Sequence, residues 1–403
     1  MEHFLIIGGG LAAHQAAKSI IETRPHTRVS MVSAEQHLPY DRPHLSKGLL
    51  TGENFEPALL AGSTMYAQAQ LQRIGGTWVE QIDTATAQVR LDNARTLDYD
   101  RLIIATGSRV RRLPADLAHA PIHYLRTFED ALTLRSRLVD GAEVVIIGGG
   151  FIGLEVAAAA RQRHCRVTVI ESQRSLLART GSPVLSEWIH ALHSANDVNL
   201  ELGVNIQHIE PSANGKIRVE TCSGYILADL VIAGIGIQPN VELAQACGLC
   251  IDDGILVDSA CTTSNPSIFA AGEVTRYPIS HLGVRTRSES WTVASDQGGV
   301  AGRAAAGDMA AHYDEMPWLW SDQYSSSIQC IGLSSLATQY SYLGDPAADQ
   351  WLALGWTGHG QFVCAIAANR GRDISAIKRA LKRNEALPDI YASTLASAIP
   401  NPV

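Results

Sequence analysis

The sequence predicts an α/β protein with two Rossmann-like nucleotide-binding units followed by an α+β C-terminal domain. Two strand-glycine-helix stretches predict the units, HFLIIGGGLAA at His3 to Ala13 and VVIIGGGFIGLEVAAAARQRHCRVTVIES at Val144 to Ser172. In each, an apolar strand runs into glycines that permit a tight turn, and the helix that follows offers free N–H groups to a pyrophosphate. The third observation is a composition shift at Met316-Pro317, after which PWLWSDQY, IQCIG, WLALGW and FVCAIA read as antiparallel strands.

The chain has 403 residues, more than one hydrophobic core usually supports, so several domains are expected. An apolar content of 46% with 18% charged residues is that of an ordinary soluble protein. A formal charge of −8 argues against bulk attraction to nucleic acid or an acidic membrane. Met1-Glu2-His3 lacks the cationic start of a signal peptide, and no apolar run approaches the length of a membrane span. Seven scattered cysteines, an odd number, fit a reduced cytoplasmic protein better than a disulfide framework. No metal site is expected.

In the first unit Gly8, Gly10 and Ala13 take the three special positions, and Ala12 to Ile21 is the helix. The strand Arg28 to Ser33 should deliver an acid to a ribose, and it delivers Ala34 and then Glu35, one residue later than expected. Glu35 is therefore taken as the ribose ligand. Next comes HLPYDRPHLSKGLLTG, residues 37 to 52, where Pro39 and Pro43 impose a loop and Leu45 to Leu50 starts a helix capped by Ser46. Arg42 and Lys47 are cations close behind the nucleotide turn and are candidate ligand contacts.

A helix is expected around Tyr66 to Leu71, and a small antiparallel sheet from the alternating segments Thr77 to Ile82 and Gln88 to Leu91. Leu102 to Gly107 is a buried strand closing on Thr-Gly, and the basic run Arg109, Arg111 and Arg112 that follows reads as a solvated face.

The second unit spans roughly Leu113 to Ile235, with strands at 144 to 147, 166 to 170, 204 to 209 and 229 to 233, and helices at 129 to 139, 152 to 163 and 183 to 196. Such alternation means a parallel sheet. Glu171, at the end of the second strand, is placed to accept the ribose hydroxyls and to repel a 2′-phosphate, which favours NADH over NADPH. Arg174, three residues on, works in the opposite direction. Beyond the glycine turn in Ala228 to Asn240, the chain returns through Ile255 to Val257 and a strand, Ile268 to Ala271, that closes on Gly272-Glu273. Residues 288 to 312 read as a long small-residue helix with Trp291 near its start, and Ile374 to Leu387 as a basic C-terminal helix.

The order of GGGLAA, PYDRPHLSK, ATG, GGGFIGLE, VIES, GIGIQPN, SIFAAGE, ESW and WSDQY resembles the FAD-dependent NADH:ferredoxin reductases of Rieske-type aromatic-ring dioxygenase systems, such as those of phenylpropionate and biphenyl dioxygenases. These are glutathione-reductase-like flavoproteins. The resemblance implies an FAD domain in two parts, 1–112 and 237–315, an NADH domain at 113–236, and a C-terminal domain at 316–403 that covers the flavin. It also implies a ferredoxin–NAD(+) reductase activity that takes hydride from NADH on FAD and passes single electrons to an acidic Rieske-type [2Fe–2S] ferredoxin serving a dioxygenase. The enzyme would be a monomer or homodimer.

Carried over position by position, FAD would contact Gly8, Gly10, Leu11, Ala12, Ala13, Glu35, Arg42, Lys47, Val79, Ala105, Thr106, Gly107, Arg126, Glu273, Trp291 and Trp320. NAD would contact Gly148, Gly149, Gly150, Phe151, Ile152, Gly153, Glu171 and Gly236. The family usually carries an acid where this chain has Ala34, and Asp where it has Glu273. Lys47 is the cation that would favour the anionic reduced ring, and Glu155 resembles the family's partner for it, so these two form the catalytic pair. Trp291, Trp318 and Trp320 are candidates to line the flavin edge.

Two other function classes are open to this sequence. Cys247-Gly-Leu-Cys250 has the spacing of a redox dithiol, as in flavin disulfide reductases, although the loop 37 to 47 holds no cysteine where glutathione-reductase-like enzymes keep theirs. A redox-sensing interaction flavoprotein resembling apoptosis-inducing factor shares the fold, but it tends to carry a basic nucleic-acid-binding surface. For ferredoxin docking the available cations are Arg109, Arg111, Arg112, Arg285, Arg287, Lys378, Arg379, Lys382 and Arg383.

Overall fold

The computed structural model describes residues 1–52, 55–213 and 215–400, and they divide into two compact units. The first comprises Met1–Asp41, Pro57–Arg109 and Gln238–Pro317, and the second Arg42–Glu56, Val110–Ile237 and Trp318–Val403.

The first unit is built on a five-stranded parallel sheet in the order Ile268–Ala270, Arg101–Ile104, His3–Ile7, Arg28–Ser33, Leu71–Gly75. Its central strand, HFLII, is buried along its whole length, as a strand covered on both faces must be. The helix Leu11–Thr23 packs against the helix Trp291–Ala305 through Ala12 and Ala16 on one side and Gly298 and Gly302 on the other. The fit is close. A Cβ at Gly298 would stand 2.4 Å from the Ala12 carbonyl oxygen, and one at Gly302 2.5 Å from that of Ala16. The sequence of small residues is thus what lets two helix backbones approach. A three-stranded antiparallel sheet, Val79–Asp83, Gln88–Leu91 and Thr96–Asp98, lies alongside.

The second unit contains a four-stranded parallel sheet in the order Val198–Leu202, Arg166–Glu171, Glu143–Ile147, Leu230–Ala233. A buried cluster including Val145, Ile170, Ile209, Val219 and Val231 joins this sheet to a three-stranded antiparallel one, Ile206–Pro211, Ile217–Thr221 and Gly224–Ala228. The C-terminal part is a six-stranded antiparallel sheet in the order Trp318–Gln323, Ser326–Gly332, Phe362–Ala368, Trp351–Trp356, Gln339–Leu343, Ile399–Pro400. Its first strand packs on the helix Phe151–Gln162.

Four expectations are corrected. The helix expected at Tyr66 to Leu71 is only Ser63–Tyr66, and Leu71–Gly75 is instead the edge strand of the parallel sheet, paired with Val29–Ser33. The parallel strand expected at 204 to 209 is Val198–Leu202, while Ile206–Pro211 turns into the antiparallel sheet with a bulge between Ile206 and His208. Asp197, in the left-handed region at φ +56°, ends the preceding helix early enough to free that strand. The C-terminal basic helix is Gly371–Lys382, closed by Asn384 at φ +53° rather than running to Leu387. Ser46 does not cap a helix. The helix there is Gly48–Thr51, preceded by Lys47, and the Ser46 hydroxyl turns to Glu155.

Candidate functional site

Both glycine turns have the same construction, which follows from where their glycines stand. Gly8, at φ +142°, and Gly148, at φ +105°, each end the central strand in a conformation that a side chain resists. Each also lies against backbone: a Cβ would be 2.1 Å from the Ala105 oxygen at Gly8 and 2.5 Å from the Gly234 oxygen at Gly148. Gly10 and Gly150 are the N-caps of helices of 13 and 12 residues and lack any side-chain cap, and a Cβ added at either would meet no heavy atom within 4 Å. Open space over uncapped N–H groups is what a pyrophosphate requires, so each turn fits a dinucleotide. Leu11, Ala12 and Ala13 form the first turn of one helix, Phe151, Ile152 and Gly153 that of the other.

The ribose positions differ between the two turns. In the second unit Glu171 is the last residue of its strand, and its carboxylate accepts hydrogen bonds from Gly149 N at 2.7 Å and Gln173 N at 2.8 Å. Ser172 Oγ donates to it as well, at 3.1 Å; a carboxylate has about four acceptor sites, so one remains open for a ribose hydroxyl and a second opens if the Ser172 hydroxyl turns away. In the first unit, register places Val32 beside Ile7 as Ile170 stands beside Ile147, so Ser33 occupies the position equivalent to Glu171. Glu35 lies two residues beyond it. Its carboxylate accepts from Tyr40 Oη at 2.5 Å, while Arg73 binds the carbonyl oxygens of Glu35, Gln36 and His37 at 2.9, 2.7 and 2.5 Å.

The other expected flavin contacts in the first unit are Val79, Ala105, Thr106, Gly107, Glu273 and Trp291. Ala105 N donates to Ile7 O at 2.8 Å, and the turn after it is clamped by Asn240, which donates from Nδ2 to Thr106 O at 2.9 Å and accepts from Thr106 Oγ1 at its own carbonyl at 2.8 Å. Trp291 opens its helix and donates from Nε1 to Asp41 at 2.7 Å. Asn240 and Asp41 do not stand out in the sequence as site residues, though both lie inside motifs that carry the resemblance.

Arg42, Lys47, Arg126 and Trp320 fall in the second unit together with the whole expected NAD set. Arg42 Nη1 donates to the Arg126 carbonyl at 2.8 Å. Trp320 stacks on Trp318, with ring centroids 5.1 Å apart and planes at 23°, and Lys378 Nζ sits 3.6 Å from the Trp318 centroid. Gly236, at φ +97°, accepts from Arg111 N at its carbonyl.

The structure brings Lys47 and Glu155 together. Lys47 Nζ is 2.9 Å from Glu155 Oε1, with the lysine partly exposed and the glutamate 4% exposed. Glu155 also accepts from Ser321 Oγ at 2.6 Å and from Ser46 Oγ. A buried carboxylate with three donors meets the rule that buried charge must be paired and hydrogen-bonded. Ser46, Ser321 and Gln323 escape sequence reasoning as site residues; WSDQY signals the family, but the partner of each side chain is visible only in three dimensions.

The Cys247-Cys250 pair lacks the character of a redox dithiol. Cys247 ends the helix Glu242–Ala246, its thiol donates to the Ala244 carbonyl at 3.3 Å, and burial pushes it above the ordinary thiol range rather than toward thiolate. All seven cysteines are free, and among the described residues there is no cluster that could hold a metal.

These features define a class, an oxidoreductase with two dinucleotide sites, and the comparisons give the family. Residues 2–298 match the model described as pyridine nucleotide-disulphide oxidoreductase, and residues 318–394 the one described as reductase C-terminal. The chain belongs to the pyridine nucleotide-disulphide oxidoreductase family. It is 43% identical over 389 residues, 96% of this chain and 95% of the other, to the anthranilate 1,2-dioxygenase system ferredoxin–NAD(+) reductase component of Burkholderia cepacia. With the 3-phenylpropionate/cinnamic acid dioxygenase ferredoxin–NAD(+) reductase component of Photorhabdus laumondii it shares 33% over 379 residues, 94% of this chain and 95% of the other. Among solved structures it is similar to the covalent putidaredoxin reductase–putidaredoxin complex, with a TM-score of 0.91 and 31% identity over 98% of each chain.

Proposed function

We propose that the chain is the NADH:ferredoxin reductase of an aromatic-ring dioxygenase system, with FAD as its resident cofactor. The observation that carries this reading is the presence of two glycine turns of one construction, of which the second ends in a carboxylate placed for a ribose without a 2′-phosphate. Similarity to two dioxygenase-system reductases over nearly their full length supports the acceptor.

FAD, when bound, supplies a ring that takes two electrons with a hydride and releases them one at a time. The chain's own residues bind and orient. Gly8 to Ala13 and Ala105 to Gly107 would hold FAD by backbone, with Glu35 at the ribose; Val79, Glu273 and Trp291, and on the family resemblance Arg42, Arg126 and Trp320, complete the set. Gly148 to Gly153 and Gly236 would hold NADH by backbone, and Glu171 would accept its ribose hydroxyls. Lys47, held by Glu155, would offer a positive charge to the flavin ring, an effect of about a few kcal/mol at an intermediate dielectric. The same proposal divides the chain into FAD-binding parts at 1–112 and 237–315, an NADH-binding domain at 113–236 and a C-terminal domain at 316–403.

The partner proposed is an acidic Rieske-type [2Fe–2S] ferredoxin, and the cytoplasm the location, since NADH and seven free cysteines suit a reducing compartment. Among the described residues no helix is long and apolar enough to cross a membrane. Reconstitution with NADH and candidate [2Fe–2S] ferredoxins, read as bleaching of the ferredoxin chromophore, tests the reading.

A further inference from the structure

Glu155 ends a hydrogen-bonded chain that extends well beyond the lysine. From Ser321 the chain continues to Gln323, whose Nε2 lies 3.0 Å from Ser321 Oγ. Gln323 Oε1 is 2.7 Å from His193 Nε2, and His193 Nδ1 is 3.3 Å from the Tyr324 hydroxyl. Ser321 and Gln323 are each 1% exposed and His193 is fully buried. Four segments of sequence meet here: the loop after the PYDRP motif, the second nucleotide helix, the helix Pro183–Ala195 and the first strand of the C-terminal sheet.

Donor and acceptor chemistry gives this chain one direction. A carboxylate only accepts, so Ser321 must spend its single proton on Glu155. Its oxygen is then left to accept from the Gln323 amide. That turns Gln323 Oε1 toward His193, whose Nε2 must carry the proton, and Nδ1 becomes the acceptor for Tyr324. Burial pushes His193 down to about 4, so at neutral pH the ring is uncharged and has only one N–H to place. Every donor points at Glu155. The chain is not a proton wire, because the Gln323 amide donates a hydrogen bond but neither gives up nor takes on a proton near neutral pH. It is an orienting device.

We propose that Ser321, Gln323 and His193 are positioning residues for the reaction, a one-directional network that holds the Glu155 carboxylate in the orientation from which it fixes the Lys47 ammonium. The proposal rests on the reading of Lys47 and Glu155 as the pair that acts on the flavin.

The test is a double-mutant cycle on the holoenzyme. Ser321→Ala and Gln323→Met are made in the wild-type and in the Glu155→Gln background, and reduction by NADH is followed by stopped flow alongside NADH affinity and the melting temperature. The nitrogen shifts of His193 report its tautomer independently of turnover. In the wild-type background Ser321→Ala should slow reduction roughly tenfold, the scale of a hydrogen bond to a charged group, and Gln323→Met roughly threefold, the scale of one between neutral groups, with NADH affinity unchanged. In the Glu155→Gln background neither should slow it further. His193 should carry its proton on Nε2. Equal losses in both backgrounds, no loss in either, or a proton on Nδ1 would overturn the network. If Gln323→Met fails to fold, Ser321→Ala, which removes one oxygen, carries the cycle. An unchanged rate in Glu155→Gln alone would overturn the reading of the Lys47–Glu155 pair and remove the network's role in the reaction, while the tautomer would still report its direction.

Discussion

Lys47 Nζ and Glu155 Oε1 stand 2.9 Å apart, although 108 positions separate them in the chain. The glutamate comes from the helix whose N-terminus forms the second nucleotide turn, so one helix supplies both a pyrophosphate cradle and the acid that holds the lysine. Lys47→Met and Glu155→Gln should each lower the rate of reduction by NADH about tenfold or more while leaving the NADH dissociation constant within about twofold, since neither side chain belongs to the nucleotide cradle. Rapid-reaction kinetics checks this, and a change in affinity alone would place the pair in ground-state binding.

In the proposed reading, Glu171 sets the choice between NADH and NADPH. Its replacement by Gln keeps the contact to Gly149 N in kind but removes the charge that repels a 2′-phosphate, and Arg174 lies nearby in sequence to receive one. The ratio of kcat/KM for NADPH over NADH should rise by about tenfold or more, which corresponds to about 1.4 kcal/mol of discrimination. Steady-state kinetics with both nucleotides is the measurement, and an unchanged ratio would assign selectivity elsewhere.

This contrast shows what the sequence displays and what it hides. The turn at Gly148 is legible in full because strand, glycines, helix and acid all fall at regular spacing. In the first unit the same register puts Ser33 at the acid's position, and Glu35 is held in a loop by Tyr40 and Arg73, which no periodicity reports. The helix expected at Tyr66 to Leu71 overlooks the strand Leu71–Gly75 for a related reason: it is an edge strand joined to its sheet by a partner over 40 residues away, and its own alternation is weak. Ser321, Gln323 and His193 are invisible as a group because each is an ordinary polar residue until the fold buries it beside the next.

Gly298 and Gly302 hold the two long helices of the first unit in contact. Gly298→Ala would drive a Cβ to 2.4 Å from the Ala12 carbonyl oxygen, and backbone on both sides has little room to yield. The variant should lose about 1–3 kcal/mol of stability by denaturant unfolding and weaken FAD retention, because Ala12 lies in the first turn over the cradle.

His193 gives the stability a pH dependence. Its folded value of about 4 lies below the ordinary 6.5, so above pH 6.5 both folded and unfolded chains hold it neutral and its contribution is intact. As pH falls toward 4 the unfolded chain takes up a proton that the folded one refuses, and up to roughly 3 kcal/mol is lost. Gln323 and Tyr324 are the groups that face the ring, and neither supplies a negative charge to offset this. Unfolding followed between pH 7 and 4 should show the loss, and His193→Gln should flatten that part of the profile.

Docking of an acidic ferredoxin should be sensitive to salt. The helix Gly371–Lys382 carries Arg379 and Lys382 in its last turn, two of the cations expected at the docking face, and we propose it as a contributor. Reversing Arg379 and Lys382 to Glu should reduce the second-order rate with ferredoxin several-fold at low salt and leave reduction by NADH unchanged.

Transfer of electrons from NADH to a [2Fe–2S] ferredoxin is measured directly by the rate at which purified, FAD-loaded protein bleaches such a ferredoxin with NADH as sole donor. Bleaching should run at many turnovers per second, saturate in ferredoxin, slow with salt and be nearly absent with NADPH. Failure to reduce any [2Fe–2S] ferredoxin, with NADH consumed instead in step with the Cys247 and Cys250 thiols and a disulfide substrate, would contradict the proposed function.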